Sequence, residues 1–135
     1  MLESGVSKNM RGIVLFILIT VLFIYIPVQA QYSGGTGEPN NPYKIAEPND
    51  WIELMNTSAD WDKNFIMTND IDLNDVDLSP VGTSWTNSFE GVFDGNNHII
   101  YNAIVNMPDS DCVGLFGHVY DGKIQNLGLQ NVKIN

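Results

Sequence analysis

The densest run of oxygen donors in the chain is Asp70, Asp72, Asn74, Asp75 and Asp77. A hard cation such as Ca²⁺ takes roughly six to eight such oxygens, and a spacing of two along a strand would put Asp70, Asp72 and Asn74 on one face. The glycine that an EF-hand loop needs at its bend is missing, so that motif is excluded. The competing reading makes Asp70 and Asp72 the wet face of an alternating strand whose Ile71 and Leu73 point to the core. As an acid and base, two carboxyls ~7 Å apart on such a strand would suit inverting glycoside hydrolysis. Arg11 is the sole arginine, however, so nothing further along supplies a guanidinium to clamp a carboxylate or act as a lyase base. No catalytic residue is assigned.

The two histidines, His98 and His118, stand in unlike contexts, each without a second His or a Cys at metal spacing, and are expected as solvent-facing turn residues. Among the aromatic side chains Trp51, Trp61, Trp85, Tyr101 and Tyr120, Trp85 stands apart: it sits in the polar stretch Thr83–Ser88, where core packing gives it no evident task. An exposed tryptophan offers a flat face to a sugar ring, which makes Trp85 the candidate glycan contact.

The elements that must position these residues are short strands. Phe65 to Leu73 alternates, with Phe65, Met67, Ile71 and Leu73 as core candidates. Phe89 to Asn106 and Val113 to Asn135 look like echoes of one another: Gly91 and Phe93 ahead of Asp94-Gly95-Asn96 in the first, Gly114-Leu115-Phe116-Gly117 ahead of Asp121-Gly122 in the second. Ile100 to Ile124 and Asn102 to Asn126 are each 24 positions, which predicts a repeat of that length and a stacked Asn102–Asn126 amide pair. Short strands, Gly/Asn turns and a fixed period predict an all-β chain, a β-solenoid. Pro42 to Ile45 reads as a first strand. From Pro48 to Ala59 the apolar spacing turns helical (Trp51, Ile52, Leu54, Met55, Ala59), with Asn49 or Asp50 as N-cap. A helix placed there is expected to cover the open end of a stack of strands.

Length and charge set the bounds. Lys8 and Arg11 precede an apolar run over 13–26 and then Val28-Gln29-Ala30, the form of a secretion signal over 1–30; the run is short of the ~20 residues that span a bilayer. A membrane is therefore expected as a partner only through this segment, if it stays uncleaved. Residues 31–135 hold four lysines against fifteen carboxylates, a net charge of −11, which argues against nucleic acid as partner. Cys112 is the one cysteine, so no disulfide forms within the chain. Organisation follows: 31–41 (QYSGGTGEPNN) as an extended leader, 42–64 as strand and capping helix, 65–135 as the first solenoid turns. The last of these leaves Ile124, Leu127, Leu129, Val132 and Ile134 uncovered, an edge through which the chain is expected to self-associate.

In order, Pro42-Tyr43-x-Ile45, Asp70-Ile71-Asp72-Leu73, Pro80-x-Gly82, Phe89-x-Gly91-x-Phe93-Asp94-Gly95-Asn96, Val113-Gly114-Leu115-Phe116-Gly117 and Asn126-Leu127-Gly128 resemble secreted bacterial proteins with GLUG-type repeats. The resemblance implies a right-handed parallel β-helix of the pectin-lyase-like kind, serving in adhesin-like surface proteins that bind a carbohydrate or a surface protein. It implies no conserved activity, and it implies further turns than this chain contains. The alternative is the leading part of a polysaccharide-active lyase or hydrolase whose catalytic turns lie elsewhere. Asn97 stands where such sequences carry Gly, so it is expected to take a left-handed backbone, which Asn tolerates.

Overall fold

A computed structural model describes residues 31–135; the signal expected over 1–30 lies outside the described residues. The chain is mostly short strands in parallel sheets, with one α-helix among the described residues. In chain order the elements are β1 (Tyr43–Ile45), α1 (Pro48–Asn56), a 3₁₀ turn (Ser58–Asp60), β2 (Asn64–Met67), β3 (Ile71–Asp72), β4 (Val92–Asp94), β5 (Ile99–Tyr101), β6 (Ile104–Val105), β7 (Lys123–Gln125), β8 (Gly128–Gln130) and β9 (Lys133–Ile134). Three sheets result, ordered β1-β2-β4-β7, β3-β5-β8 and β6-β9, every pairing parallel. Only β4-β5-β6 and β7-β8-β9 visit all three sheets, β1 lying in the first alone and β2-β3 in the first two; each pass returns one strand spacing further on, ~4.8 Å.

Alternation decides which face of each strand is buried. Tyr43 and Ile45, Phe65 and Met67, Ile71 and Leu73, then Phe93, Ile100 and Val105 are all in the core, with Trp51, Leu54, Val81 and Phe89. The four expected core residues of 65–73 are among them. Aromatic rings fill the interior: Phe93 lies 5.3 Å from Phe116 and 6.5 Å from Phe65 between centroids, and Trp51 meets Phe93 and Phe116 edge-on, 5.7 Å from each.

The N-cap lies two or three residues before the Asn49 or Asp50 that the sequence suggests. Glu47 is the N-cap and Pro48 opens the first turn, where its missing N–H costs nothing. Asp50 acts from inside the helix: its Oδ2 accepts the N–H of Ala46 at 2.7 Å and of Glu47 at 3.1 Å. Trp51 and Leu54 are fully buried, whereas Ala59 falls on the 3₁₀ turn and is exposed.

Residues 31–41 are not an extended leader. They turn back on the fold, because Tyr32 carries enough apolar surface to be worth burying and two acids hold it there. Its ring lies 4.6 Å from Tyr43 and 5.6 Å from Phe65, and its hydroxyl donates to Asp60 at 3.0 Å. Burial first, and Asp60 second, raise the Tyr32 pKa far above the ordinary phenol range, so the hydroxyl stays a donor. Ser33 Oγ donates to Asp50 at 2.7 Å, tying the same segment to α1.

The register also corrects the repeat. Ile71 faces Ile100 and Ile100 faces Leu129, so each full turn takes 29 residues there. Phe93 faces Ile124, while Phe116 pairs with Val81. The 24 positions from Ile100 to Ile124 measure the arc from the second sheet round to the first, not a repeat. The two later turns each have two asparagine corners, and the 24-residue alignment matched one kind to the other. Asn97 and Asn126 share the first corner, Asn102 and Asn131 the second; all four have left-handed φ of 52–64°. The Asn97 expectation holds. The stacked amide is Asn102–Asn131, 3.5 Å apart, rather than Asn102–Asn126.

Candidate functional site

The acidic run is spent on joining neighbouring turns. Asp70 Oδ1 accepts the Ile99 N–H at 2.9 Å and faces His98 Nδ1 at 3.0 Å; the Ile99 bond first, and His98 second, hold its carboxyl below the usual range. Asp72 Oδ1 accepts from Asn102 Nδ2 at 3.0 Å and from the Asn74 N–H at 3.0 Å, and Asn74 Nδ2 donates to Asp75 at 2.6 Å. Among the described residues no group of three His, Cys, Asp or Glu side chains is placed to hold a metal. The candidate Ca²⁺ site at Asp70, Asp72, Asn74, Asp75 and Asp77 is not assembled among the described residues; Asp70 and Asp72 are exposed while Ile71 and Leu73 are buried, as the competing reading has it. Asp70 and Asp72 each reach to the following turn, the left-handed Asp75 closes a corner, and Asp77 joins neither. A groove of about 410 Å³ beside this ladder is lined by Asn74, Asn102, Ile104, Asn131, Val132 and Lys133.

A second acid ladder lies one corner away. Asp94 Oδ1 accepts Asn126 Nδ2 at 3.0 Å and the Asn96 N–H at 2.8 Å, and its Oδ2 accepts Gln125 Nε2 at 2.9 Å. The Asn126 bond first, then the Asn96 N–H, depress the Asp94 pKa against the opposing pull of burial. Gly95 follows because the next turn passes too close for any side chain: a Cβ there would sit 2.5 Å from the Asn126 carbonyl oxygen and 2.5 Å from Leu127 Cα.

Trp85 is placed as its surroundings in sequence suggest. Two isolated pairings, Val81 with Phe116 and Phe89 with Val119, bracket the segment that carries it. Between those anchors one turn spends eight residue steps where its neighbour spends three, and the excess forms a hairpin. Asn87 closes it: its N–H donates to Ser84 O at 3.1 Å, its carbonyl accepts the Thr83 N–H at 2.8 Å, and its Nδ2 reaches Thr83 Oγ1 at 3.1 Å. Trp85 at the tip is 82% exposed, and its ring leans on His118 of the neighbouring turn, centroids 4.4 Å apart at 59°. His118 is thus half-covered rather than solvent-facing, with Nδ1 buried and without a hydrogen-bond partner among the described residues. Sequence reasoning missed this pair, since His118 lies 33 positions from Trp85 and only the turn-to-turn register brings them together.

Below the hairpin is a cleft of about 190 Å³, whose lining includes Ser58, Asp62, Thr86, Asn87, Ser88 and Glu90. Ser88 Oγ donates to Glu90 at 3.1 Å, and Asp62 pairs with Lys63 at 3.0 Å. The cleft wall thus presents hydroxyls, an amide and two carboxylates, and the Trp85 ring is not part of it.

No described protein family matches the chain. It is 28% identical over 116 residues to halomucin of Haloquadratum walsbyi, covering 74% of this chain and 1% of that protein. It is 32% identical over 105 residues to a Gly-rich membrane protein of Evansella cellulosilytica, covering 73% of this chain and 12% of that one. The chain thus spans a small fraction of the curated relatives it matches. Among solved structures, a candidate immunoglobulin A1 protease of Bacteroides ovatus superposes with a TM-score of 0.65 at 24% identity, over 77% of this chain and 30% of that one. That likeness concerns the fold.

Proposed function

We propose that the chain forms turns of a right-handed parallel β-helix of the GLUG-type repeat class, exported to the cell surface, where it serves as a non-catalytic, adhesin-like scaffold that contacts a glycan through Trp85. In this reading α1 covers the first turn, with Trp51 reaching down the interior toward Phe93. The parallel stacking of successive passes in three sheets and the fold of the B. ovatus structure support the architecture. The names of the two relatives, a halomucin and a Gly-rich membrane protein, support a surface location.

The observation that carries the binding role is the exposure of Trp85. Leaving a tryptophan 82% in water forgoes roughly 2 kcal/mol or more of available burial, and the closed hairpin holds it out rather than letting it collapse. The test is binding of the protein to a panel of immobilised glycans, with Trp85→Ala as the paired control. At least one glycan should bind, and the substitution should weaken it about tenfold, or 1.4 kcal/mol. Absence of binding to every glycan would end the adhesin reading.

A further inference from the structure

Three carboxylates converge on residues 31–33. Glu53 Oε2 accepts the Tyr32 N–H at 3.0 Å, Asp60 Oδ2 accepts the Tyr32 hydroxyl at 3.0 Å and the Gln31 side-chain amide, and Asp50 Oδ2 accepts Ser33 Oγ at 2.7 Å. The other end of the Gln31 amide, Oε1, accepts the Tyr43 hydroxyl at 3.2 Å. Asp50 and Asp60 are buried and Glu53 is half-buried. Among the described residues the close cation–carboxylate contacts are Lys63–Asp62 and His98–Asp70, so none of the three has a cation beside it. Hydrogen bonds solvate these anions without neutralising them, although anions taken out of water are ordinarily matched by a positive charge.

Cutting the chain at one bond supplies that charge. Val28-Gln29-Ala30 closes a stretch of secretion-signal form, and cleavage after Ala30 turns the Gln31 peptide nitrogen into an α-ammonium. Covalent geometry sets Gln31 N ~3–4 Å from Tyr32 N, and hence within about 7 Å of Glu53 Oε2. We propose that Ala30–Gln31 is a processing site and that the ammonium it releases is the missing counter-ion, pairing with Glu53 and locking residues 31–33 onto α1 and β1. The proposal rests on the export reading above. In the uncut chain the same nitrogen is a neutral amide, so the lock forms only after cleavage. Burial fixes the order of events: Tyr32, the second residue past the cut, is 5% exposed, whereas a peptidase needs the residues flanking its bond extended and free. The titratable groups facing the ammonium are Glu53 and Asp50 of α1, Asp60 of the 3₁₀ turn, Tyr43 of β1 and Tyr32 itself, with Glu38 and the Asp62-paired Lys63 further out. Burial raises the pKa of both tyrosines, which therefore stay neutral while an amine titrates.

The full chain is expressed in an exporting host, the exported product is weighed by mass spectrometry, and its thermal midpoint is followed from about pH 7 to about pH 10. The product should begin at Gln31. Pairing raises the α-amine pKa above its unfolded value of ~7.7–8.0, so the stability it adds is whole below about pH 7.7 and is lost as pH rises through the folded value. The midpoint should fall by about 4 °C or more over that range. Warm incubation of the unfolded product closes Gln31 to pyroglutamate: the α-nitrogen bonds to Cδ and the side-chain nitrogen leaves as ammonia. Refolded, this uncharged form should lose the fall, while Gln31→Ser, which keeps the ammonium and cannot close, should retain it. Glu53→Gln should flatten the profile of the open form and leave that of the closed form unchanged. A start other than Gln31, a profile indifferent to closure, or a Glu53→Gln effect equal in both forms would overturn the proposal while sparing export. Uncut chain retained inside the cell would remove the export reading as well.

Discussion

Phe93 and Ile124 face one another in adjacent turns of the same sheet, yet their surroundings differ completely: Phe93 is 0% exposed and Ile124 is 38% exposed. Phe93→Ala empties a site walled by Phe65, Phe116 and Trp51, none of which can collapse into it without losing its own contacts. That should cost about 3–5 kcal/mol. Ile124→Ala removes a side chain already open to water and leaves no closed cavity, so about 1 kcal/mol is expected. A domain of this size has ~5–15 kcal/mol in total, so the first substitution takes a large share and the second a minor one. Urea denaturation followed by tryptophan fluorescence reads both as shifts in midpoint at constant m-value. Should Phe93→Ala be unfolded without urea, Phe93→Leu keeps the comparison open at about 1–2 kcal/mol. A difference between the Phe93 and Ile124 alanine variants of less than about 1 kcal/mol would refute the reasoning, because Ile124 would then be covered in solution as thoroughly as Phe93.

The Asp94 ladder predicts acid sensitivity. Its carboxyl is held below the ordinary value of 3.8, so its contribution to stability is whole above that pH and is lost as pH falls through the lowered value. Thermal midpoints taken from neutral pH down to about pH 2 should fall less steeply for Asp94→Asn than for the unaltered protein, and parallel curves would dismiss the ladder as a stabilising element. Gly95→Ala meets backbone rather than a yielding side chain, so it should destabilise by about 1–3 kcal/mol; a neutral result in the same urea assay would mean that neighbouring turns can part at this corner.

What the sequence disclosed was local. Alternation in Phe65–Leu73 marks its buried residues, because a strand has only two sides: Phe65 and Met67 share the inner side of β2, and Ile71 lies on the inner side of β3 with Leu73 buried just after it. Polarity around Trp85 marks an exposed ring. Asn97 is legible as a left-handed corner, since few other residues accept that backbone. Long-range register is the information that short motifs lack. Phe93 and Phe116 have similar neighbours in sequence, GVF and GLFG, yet one lies in the first sheet and the other pairs with Val81 in the long arc. The acidic run likewise looks like a cation site until the following turn is in place, when Ile99 and Asn102 occupy Asp70 and Asp72. Tyr32 was hidden for the opposite reason: one aromatic in a Gly/Pro/Asn stretch gives no periodicity, although a single ring suffices to dock the segment.

The clamps on either side of the Trp85 hairpin have a consequence for how such a surface can change over generations. Val81 is fixed to Phe116 and Phe89 to Val119, so the backbone enters and leaves the hairpin at points the scaffold has already determined. Residues can be gained, lost or exchanged between Thr83 and Ser88 without moving a strand, because nothing in the three sheets depends on the length of that excursion. Sequence change can therefore act on six positions while the architecture is inherited unaltered, and a foreign loop spliced between the same clamps would be displayed as Trp85 is.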